Sequence, residues 1–124
     1  MKRRCTIHLN RDLTYIHHML DFSRQAVDFT RECRRIDLDT NAMLMLAITR
    51  LIELIGAAAR KVSTDLRQRH PEIPWSSIIG TRDRLAHGYI EVNCDIIWRI
   101  VTGDLPPLII QLERLLSEEK DARS

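Results

Sequence analysis

Residues 40–69 read TNAMLMLAITRLIELIGAAARKVSTDLRQR, and this stretch decides the fold of the chain. Its apolar residues recur every three or four positions, the period of one face of an α-helix, and they predict one helix from about Thr40 to Arg69. They are Met43, Leu44, Ala47, Ile48, Leu51, Ile52, Leu54, Ile55, Ala58 and Ala59. Because this stripe is broader than one partner helix needs, it predicts contact with the bundle core and, as one candidate, with a second subunit. Within the stripe, the run Gly56–Ala59 lets another helix backbone approach closely.

The segment before this helix has a helical pattern of its own. Apolar residues predict a helix from Leu9 to about Ile36, with Asn10 or Thr6 as its N-cap. Residues 37–40, Asp-Leu-Asp-Thr, then predict a break in the chain and the N-cap of the next helix.

The segment after it predicts three more helical stretches. We expect a helix over Trp75–His87 and a short apolar helix over Asp95–Val101, interrupted by Gly103 and Asp104. A last helix follows near Pro106, and residues 117–124 form a charged tail. No segment has the alternation of a strand. The sequence therefore predicts an all-α, up-and-down bundle of four to five helices.

Size and composition indicate one globular domain over residues 1–124, with a core over about 9–116. Hydrophobic residues make up 44% and charged residues 29% of the chain, which is ordinary for such a domain. There is no run of 18 apolar residues, so no membrane span is predicted. The basic start lacks the apolar region of a secretory signal. The formal net charge of +2 is too small to indicate nucleic-acid binding by itself, so RNA would have to bind through a local patch.

The most informative stretch for chemistry is residues 82–89, Arg-Asp-Arg-Leu-Ala-His-Gly-Tyr. Gly88 is a natural helix terminator, which puts His87 on the last turn, where the helix dipole favours imidazolium. An arginine can hold a phosphate while an imidazole moves protons, so Arg82 and His87 together suit a phosphodiester. The competing interpretation of His87 is a capping residue that bonds the last carbonyls of the helix.

The spacing of Arg82 and His87 adds a constraint. Five residues correspond to about 140° of rotation on an α-helix, so the two side chains do not share one face. A distorted helix end, or a two-fold dimer that brings both motifs into one cleft, would relax this requirement. Asp83 lies one turn before His87, where its carboxylate can meet the imidazole. A salt bridge from Asp83 to Arg84 or to a neighbouring helix is an equally good interpretation.

Other polar residues have ordinary structural explanations. Cys5, Cys33 and Cys94 are scattered, which fits reduced cytoplasmic thiols better than disulfides. A zinc site built from Cys33 and His17 or His18 has no support in their spacing. The basic run at residues 31–35 suits the end of a helix better than an RNA patch, and both tryptophans are expected to be core anchors.

An ordered set of motifs resembles the HepT-like family of the HEPN superfamily, small α-helical toxins encoded beside a minimal nucleotidyltransferase (MNT) antitoxin. The motifs are Pro71-Glu72-Ile73-Pro74-Trp75, Ile78-Ile79-Gly80, Arg82-x4-His87-x-Tyr89, Trp98 and Asp104-Leu105-Pro106. Upstream, residues 50–58 resemble the second conserved helix of that family. Ala57 departs from it, since the family often has an acidic residue after the glycine.

The resemblance implies a metal-independent endoribonuclease that acts as a homodimer, needs no cofactor and is the toxin of a type VII-like toxin–antitoxin system. Arg82 and His87 match the catalytic pair, and Asp83 matches the polar position beside the arginine. Tyr89 matches the tyrosine that the nucleotidyltransferase modifies with AMP. The implied partners are RNA and that antitoxin in the cytoplasm, with no DNA and no membrane, and the expected products end in 2′,3′-cyclic phosphate. The competing hypothesis is a non-catalytic helical binding subunit of the nucleotidyltransferase.

Overall fold

The computed structural model describes residues 2–87 and 93–123, with side chains for residues 9–87 and 93–122. Over these residues the chain forms seven α-helices and one π-helical turn, without a strand. In chain order they are α1 Lys2–Thr30, α2 Asp37–Thr40, α3 Ala42–Lys61, α4 Thr64–Arg69, α5 Trp75–His87, α6 Cys94–Arg99, the π-helical turn Ile100–Asp104 and α7 Leu105–Arg123.

The four long helices α1, α3, α5 and α7 make the bundle. Helix α3 packs against both α1 and α5, and α7 packs against α1. Fully buried side chains from most of the elements fill the space between them, among them Ile16, Met19, Ile48, Leu66, Ile97, Leu112 and Leu115. The predicted all-α bundle is confirmed, and α3, the helix with the broadest apolar stripe, has neighbours on two sides.

The prediction of one continuous helix over residues 40–69 is wrong, because the helix stops at Lys61. Val62 is extended (φ −70°, ψ 135°), and the Ser63 side chain accepts a hydrogen bond from the Leu66 N–H to cap α4. The buried Asp12 of α1 fixes this break, since its carboxylate accepts bonds from the Ser63 N–H at 2.9 Å and from its hydroxyl at 2.6 Å. A side chain from another helix therefore stabilises the corner.

Helix α1 also differs from its predicted limits. It begins at Lys2, so Thr6 and Asn10 lie inside the helix instead of capping it, and it ends at Thr30. There the Thr30 hydroxyl donates to main-chain carbonyls one turn back, and the Cys33 N–H bonds to the Thr30 carbonyl in a turn. Asn41, the residue after α2, caps α3 by accepting from the Leu44 N–H.

The C-terminal part is more continuous than its glycine and prolines suggest. Gly103 and Asp104 belong to the π-helical turn, which joins α6 directly to α7. Instead of a charged tail, residues 117–123 are the last turns of α7. Glu119 is buried in these turns and accepts hydrogen bonds from Arg69. The Glu119 carboxylate also pairs with His70, whose Nε2 lies 2.6 Å away. These contacts fasten the end of α7 to the α4–α5 corner.

Helix α3 is long and apolar enough to cross a membrane by length and composition alone, with a mean hydropathy of 1.8 over its most apolar window. Core helices of water-soluble proteins pass the same test. Here Ile48, Ile52 and Ile55 are buried in the bundle, and the helix is capped by Asn41 at one end and carries Arg60 and Lys61 at the other.

Candidate active site

The candidate site is built where α3 and α5 cross. Gly56 makes this crossing possible, because a Cβ atom added there would lie 2.2 Å from the Cβ of Arg82 and 3.0 Å from the carbonyl oxygen of Ile78. Those distances are far below ordinary contact, so only glycine allows α5 to lie this close. The close approach expected for the Gly56–Ala59 run is therefore observed, and it positions Arg82.

The Asp83 carboxylate lies between two arginines from different helices. Arg60, on the last turn of α3, donates from Nη2 to both carboxylate oxygens at 2.6 and 2.5 Å. Arg82 donates from Nη1 to Oδ1 at 3.2 Å. The hydrogen bond from Arg60, and then that from Arg82, hold the pKa of Asp83 below its usual value. The carboxylate is therefore ionised at neutral pH, and it joins α3 to α5.

His87 is also held by Asp83, but through the main chain. Its Nδ1 lies 2.9 Å from the Asp83 carbonyl oxygen. Because a carbonyl only accepts, Nδ1 must carry the proton in this contact. In the neutral ring Nε2 then has the free lone pair, and the ring is exposed to solvent. The contact joins His87 to a carbonyl of the last helical turn, as the capping interpretation expects, and it still leaves Nε2 without a bond to the residues that the structure describes.

These positions decide between the interpretations that the sequence left open for Asp83. Its carboxylate pairs with arginines, including one on a neighbouring helix, and the imidazole bonds to the carbonyl instead. Helix α5 stays α-helical through His87, so no distortion of its end brings the ring towards Arg82. Arg84 is exposed and donates to the Thr81 hydroxyl at 3.3 Å. Gly88 and Tyr89 lie outside the described residues.

The site is open to large ligands. The side chains of Arg82, Asp83 and Arg60 are 32%, 40% and 52% exposed, and Arg84 adds a further cation on α5. Two guanidinium groups pair with one carboxylate, so these three side chains together carry a net positive charge although the whole chain is almost neutral. Arg82 and His87 are both accessible to solvent, and an anion is attracted to this positive group of side chains.

Sequence reasoning missed Arg60. The spacing from Gly56 could have indicated this residue, because Arg60 lies four positions later and therefore on the same face of α3. No local pattern could identify its partner, because Asp83 lies 23 positions further along the chain.

The remaining candidates have structural roles. His17 and His18 are exposed on α1, and the His18 ring contacts Tyr15 edge-on. Trp75 is buried, with its indole N–H donating to the His70 carbonyl at 3.0 Å, and Trp98 packs against the core. The thiols of Cys33 and Cys94 are free. Over the part of the chain that the structure describes, no three His, Cys, Asp or Glu side chains are grouped to hold a metal ion.

A cleft of about 350 Å³ lies on another side of α5, between α3, the π-helical turn and α7. Its walls are mainly apolar, and its polar groups include Glu72, Asp104 and Gln111. None of Arg60, Arg82, Asp83 or His87 lines it, so it is separate from the candidate site.

The fold and the Arg82–His87 motif define an all-α protein of the HEPN-like class. A family model described as "Ribonuclease HepT-like" matches residues 19–115. The chain is 32% identical over 101 residues to "Probable ribonuclease HepT" of Thermococcus cleftensis, which covers 82% of this chain and 92% of that protein. The chain belongs to the HepT-like ribonuclease family.

Two further relatives agree with this assignment. A protein named as a putative RNase from Caldanaerobacter subterraneus subsp. tengcongensis is 31% identical over 106 residues, or 86% of this chain and 95% of that protein. Another, from Methanocaldococcus jannaschii, is 28% identical over 99 residues, or 80% of this chain and 91% of that protein. No solved structure shows significant similarity to the chain.

Proposed function

We propose that the protein is a metal-independent endoribonuclease toxin that uses Arg82 and His87 to make the 2′-hydroxyl of RNA attack the adjacent phosphate. One observation carries this proposal. Asp83 accepts only one long bond from Arg82, which leaves most donors of this guanidinium available, and its carbonyl accepts from His87 Nδ1, which leaves Nε2 free on an exposed ring. Membership of the HepT-like ribonuclease family supports the same assignment.

The chemistry needs few groups, because RNA supplies its own nucleophile. His87 Nε2 accepts the 2′-hydroxyl proton while the O2′–P bond forms, and an imidazolium protonates the departing 5′-oxygen as the P–O5′ bond breaks. Arg82 stabilises the charge that builds up on the phosphorane oxygens. The products are a 2′,3′-cyclic phosphate and a 5′-hydroxyl. DNA lacks the 2′-hydroxyl and is not a substrate.

A homodimer would supply a second imidazole, so that one ring acts as the base and the other as the acid. Two observations support a second copy. Arg82 and His87 lie on one regular helix at a spacing that separates their faces. In addition, Met43 of the apolar stripe is 82% exposed and the nearby Leu46 is 69% exposed, so α3 has uncovered apolar surface near its start.

Regulation follows from the resemblance. Tyr89 is two residues from His87 in the sequence. We propose that an MNT nucleotidyltransferase antitoxin silences the toxin in the cytoplasm by attaching AMP to the Tyr89 hydroxyl. The added phosphate brings negative charge and bulk to an RNA-binding surface. Peptide mass spectrometry after coexpression with the partner tests this step, since it predicts a mass increment of one or more AMP units on the Tyr89 peptide.

Cleavage of RNA in the presence of a metal chelator tests the catalytic proposal. His87→Ala and Arg82→Ala are each expected to lower kcat/KM by about 100-fold or more, the usual contribution of a proton-transfer group or charge stabiliser. His17→Ala, which removes an exposed histidine on α1, is the matched control and should cleave like the wild type. If neither site variant changes cleavage, Arg82 and His87 are not the catalytic groups, and the competing hypothesis of a non-catalytic subunit of the nucleotidyltransferase is favoured.

A further inference from the structure

We propose that Arg60 is a positioning residue for this site: it holds the Asp83 carboxylate from α3, so that the Arg82 guanidinium remains available to RNA phosphate. The inference rests on the proposed function, because it takes the bound anion to be RNA. It adds to the site a residue from a second helix, 22 positions before Arg82 in the chain.

The hydrogen-bond geometry carries the inference. Arg60 makes two short bonds, to both oxygens of Asp83, whereas Arg82 makes one long bond of 3.2 Å to a single oxygen. The carboxylate is therefore held mainly by Arg60. Arg82 keeps its remaining N–H donors for another acceptor, and about a third of its side chain is exposed.

The packing of α3 places Arg60 there. Gly56 lies one helical turn before Arg60 and touches the Arg82 stem, so the same face of α3 sets the position of Arg82 and supplies the partner of Asp83. The crossing of the two helices thus fixes the distance between all three charged groups.

Charge balance explains why the site needs such a partner. The carboxylate of Asp83 is ionised at neutral pH, as an aspartate ordinarily is, and the hydrogen bond from Arg60 lowers its pKa further. An ionised carboxylate with no other partner would draw in the adjacent guanidinium of Arg82, with which it already shares one long bond. Arg82 would then be withdrawn from phosphate.

A double-variant cycle tests this, with fluorescence anisotropy of a 2′-O-methyl RNA oligonucleotide that cannot be cleaved by 2′-hydroxyl attack. Arg60→Gln should weaken binding about tenfold, and Arg60→Lys, which keeps a cation for Asp83, should bind within about threefold of the wild type. When the same Arg60→Gln change is made in an Asp83→Asn protein, it should weaken RNA binding by less than about twofold, because no carboxylate is left to pair with Arg82. Lys61→Gln removes an exposed charge from the same helix end and controls for general electrostatics.

Each other result contradicts the inference. An equal loss from Arg60→Gln with and without Asp83→Asn would mean that Arg60 contacts RNA directly. An equal loss from Lys61→Gln would mean that only net charge matters. Thermal unfolding of every variant identifies a loss that comes from misfolding, which the Asp83→Asn background would not rescue.

Failure of the proposed function has a different signature. A wild-type chain that does not bind the oligonucleotide contradicts both proposals. A chain that binds it and passes the double-variant cycle, but whose RNA cleavage does not change with His87→Ala, contradicts the cleavage chemistry and leaves the role of Arg60 standing.

Discussion

Gly56→Ala perturbs both the fold and the candidate site at the helix crossing. The new Cβ would lie 2.2 Å from the Cβ of Arg82, whereas two carbon atoms in contact are about 3.7 Å apart. Helix α5 would have to move by about 1.5 Å at this point, because the Cβ of Arg82 is attached directly to the backbone. A rotation of side chains cannot relieve such a contact.

The magnitude follows from two opposing effects. Overpacking of this kind costs about 3 kcal/mol, the upper part of the usual range, because the clash involves backbone-anchored atoms. Replacing glycine by alanine inside a helix returns about 1 kcal/mol. The free energy of unfolding should therefore fall by about 2 kcal/mol, which corresponds to a decrease in Tm of about 6 °C for a domain of this size.

Gly80→Ala is the matched control, because nothing lies within 4 Å of a Cβ atom added there. Only the gain in helix propensity remains, so its Tm should rise by about 3 °C. Differential scanning calorimetry measures both, and RNA cleavage by Gly56→Ala should fall more than its stability explains, since Arg82 moves. An equal rise in Tm for the two variants would refute the close crossing of α3 and α5.

Two further variants test the buried and the exposed ion pairs. Glu119→Ala removes the carboxylate that pairs with the buried His70 Nε2 and with Arg69, and it should lower the free energy of unfolding by about 3 kcal/mol in urea denaturation. The Glu118 side chain is 54% exposed and its carboxylate lies 3.6 Å from His70 Nδ1, so Glu118→Ala should cost less than about 0.5 kcal/mol. Similar losses for both variants would contradict the buried pair. The arginine partners of Asp83 lower its pKa in the folded protein. The ionised carboxylate therefore stabilises the folded protein above about pH 4, which is the pKa of an unfolded aspartate. This stabilisation is lost as pH falls through the lower pKa of the folded state. The Tm difference between wild type and Asp83→Asn should therefore be constant above about pH 5 and shrink in more acidic solution, and a difference that does not change with pH would contradict the ion pair.

The sequence predicted the features that depend on periodicity and on single residues with special geometry. The stripe of α3 predicted a central helix, the expected helix over Trp75–His87 matches α5, and Gly56 predicted a close backbone contact. These features succeeded because each depends on interactions within one helix or on the absence of one side chain.

The features that failed depend on contacts between distant segments. The break at Ser63 is stabilised by Asp12, which lies 51 positions earlier. The apolar pattern of the local sequence therefore gave no indication of it. The last turns of α7 stay helical because Glu119 is buried with His70. Arg60 was missed for the same reason, since only the folded chain brings it to Asp83.

The most direct measurement of the central claim is a cleavage assay on a short RNA with one 2′-deoxy nucleotide at a linkage that the wild type cuts. We expect this linkage alone to become resistant and the other linkages to be cut still in chelator. The fragments should end in 2′,3′-cyclic phosphate by mass spectrometry. Cleavage at the 2′-deoxy linkage at the wild-type rate would contradict attack by the 2′-hydroxyl and, with it, the roles given to Arg82 and His87.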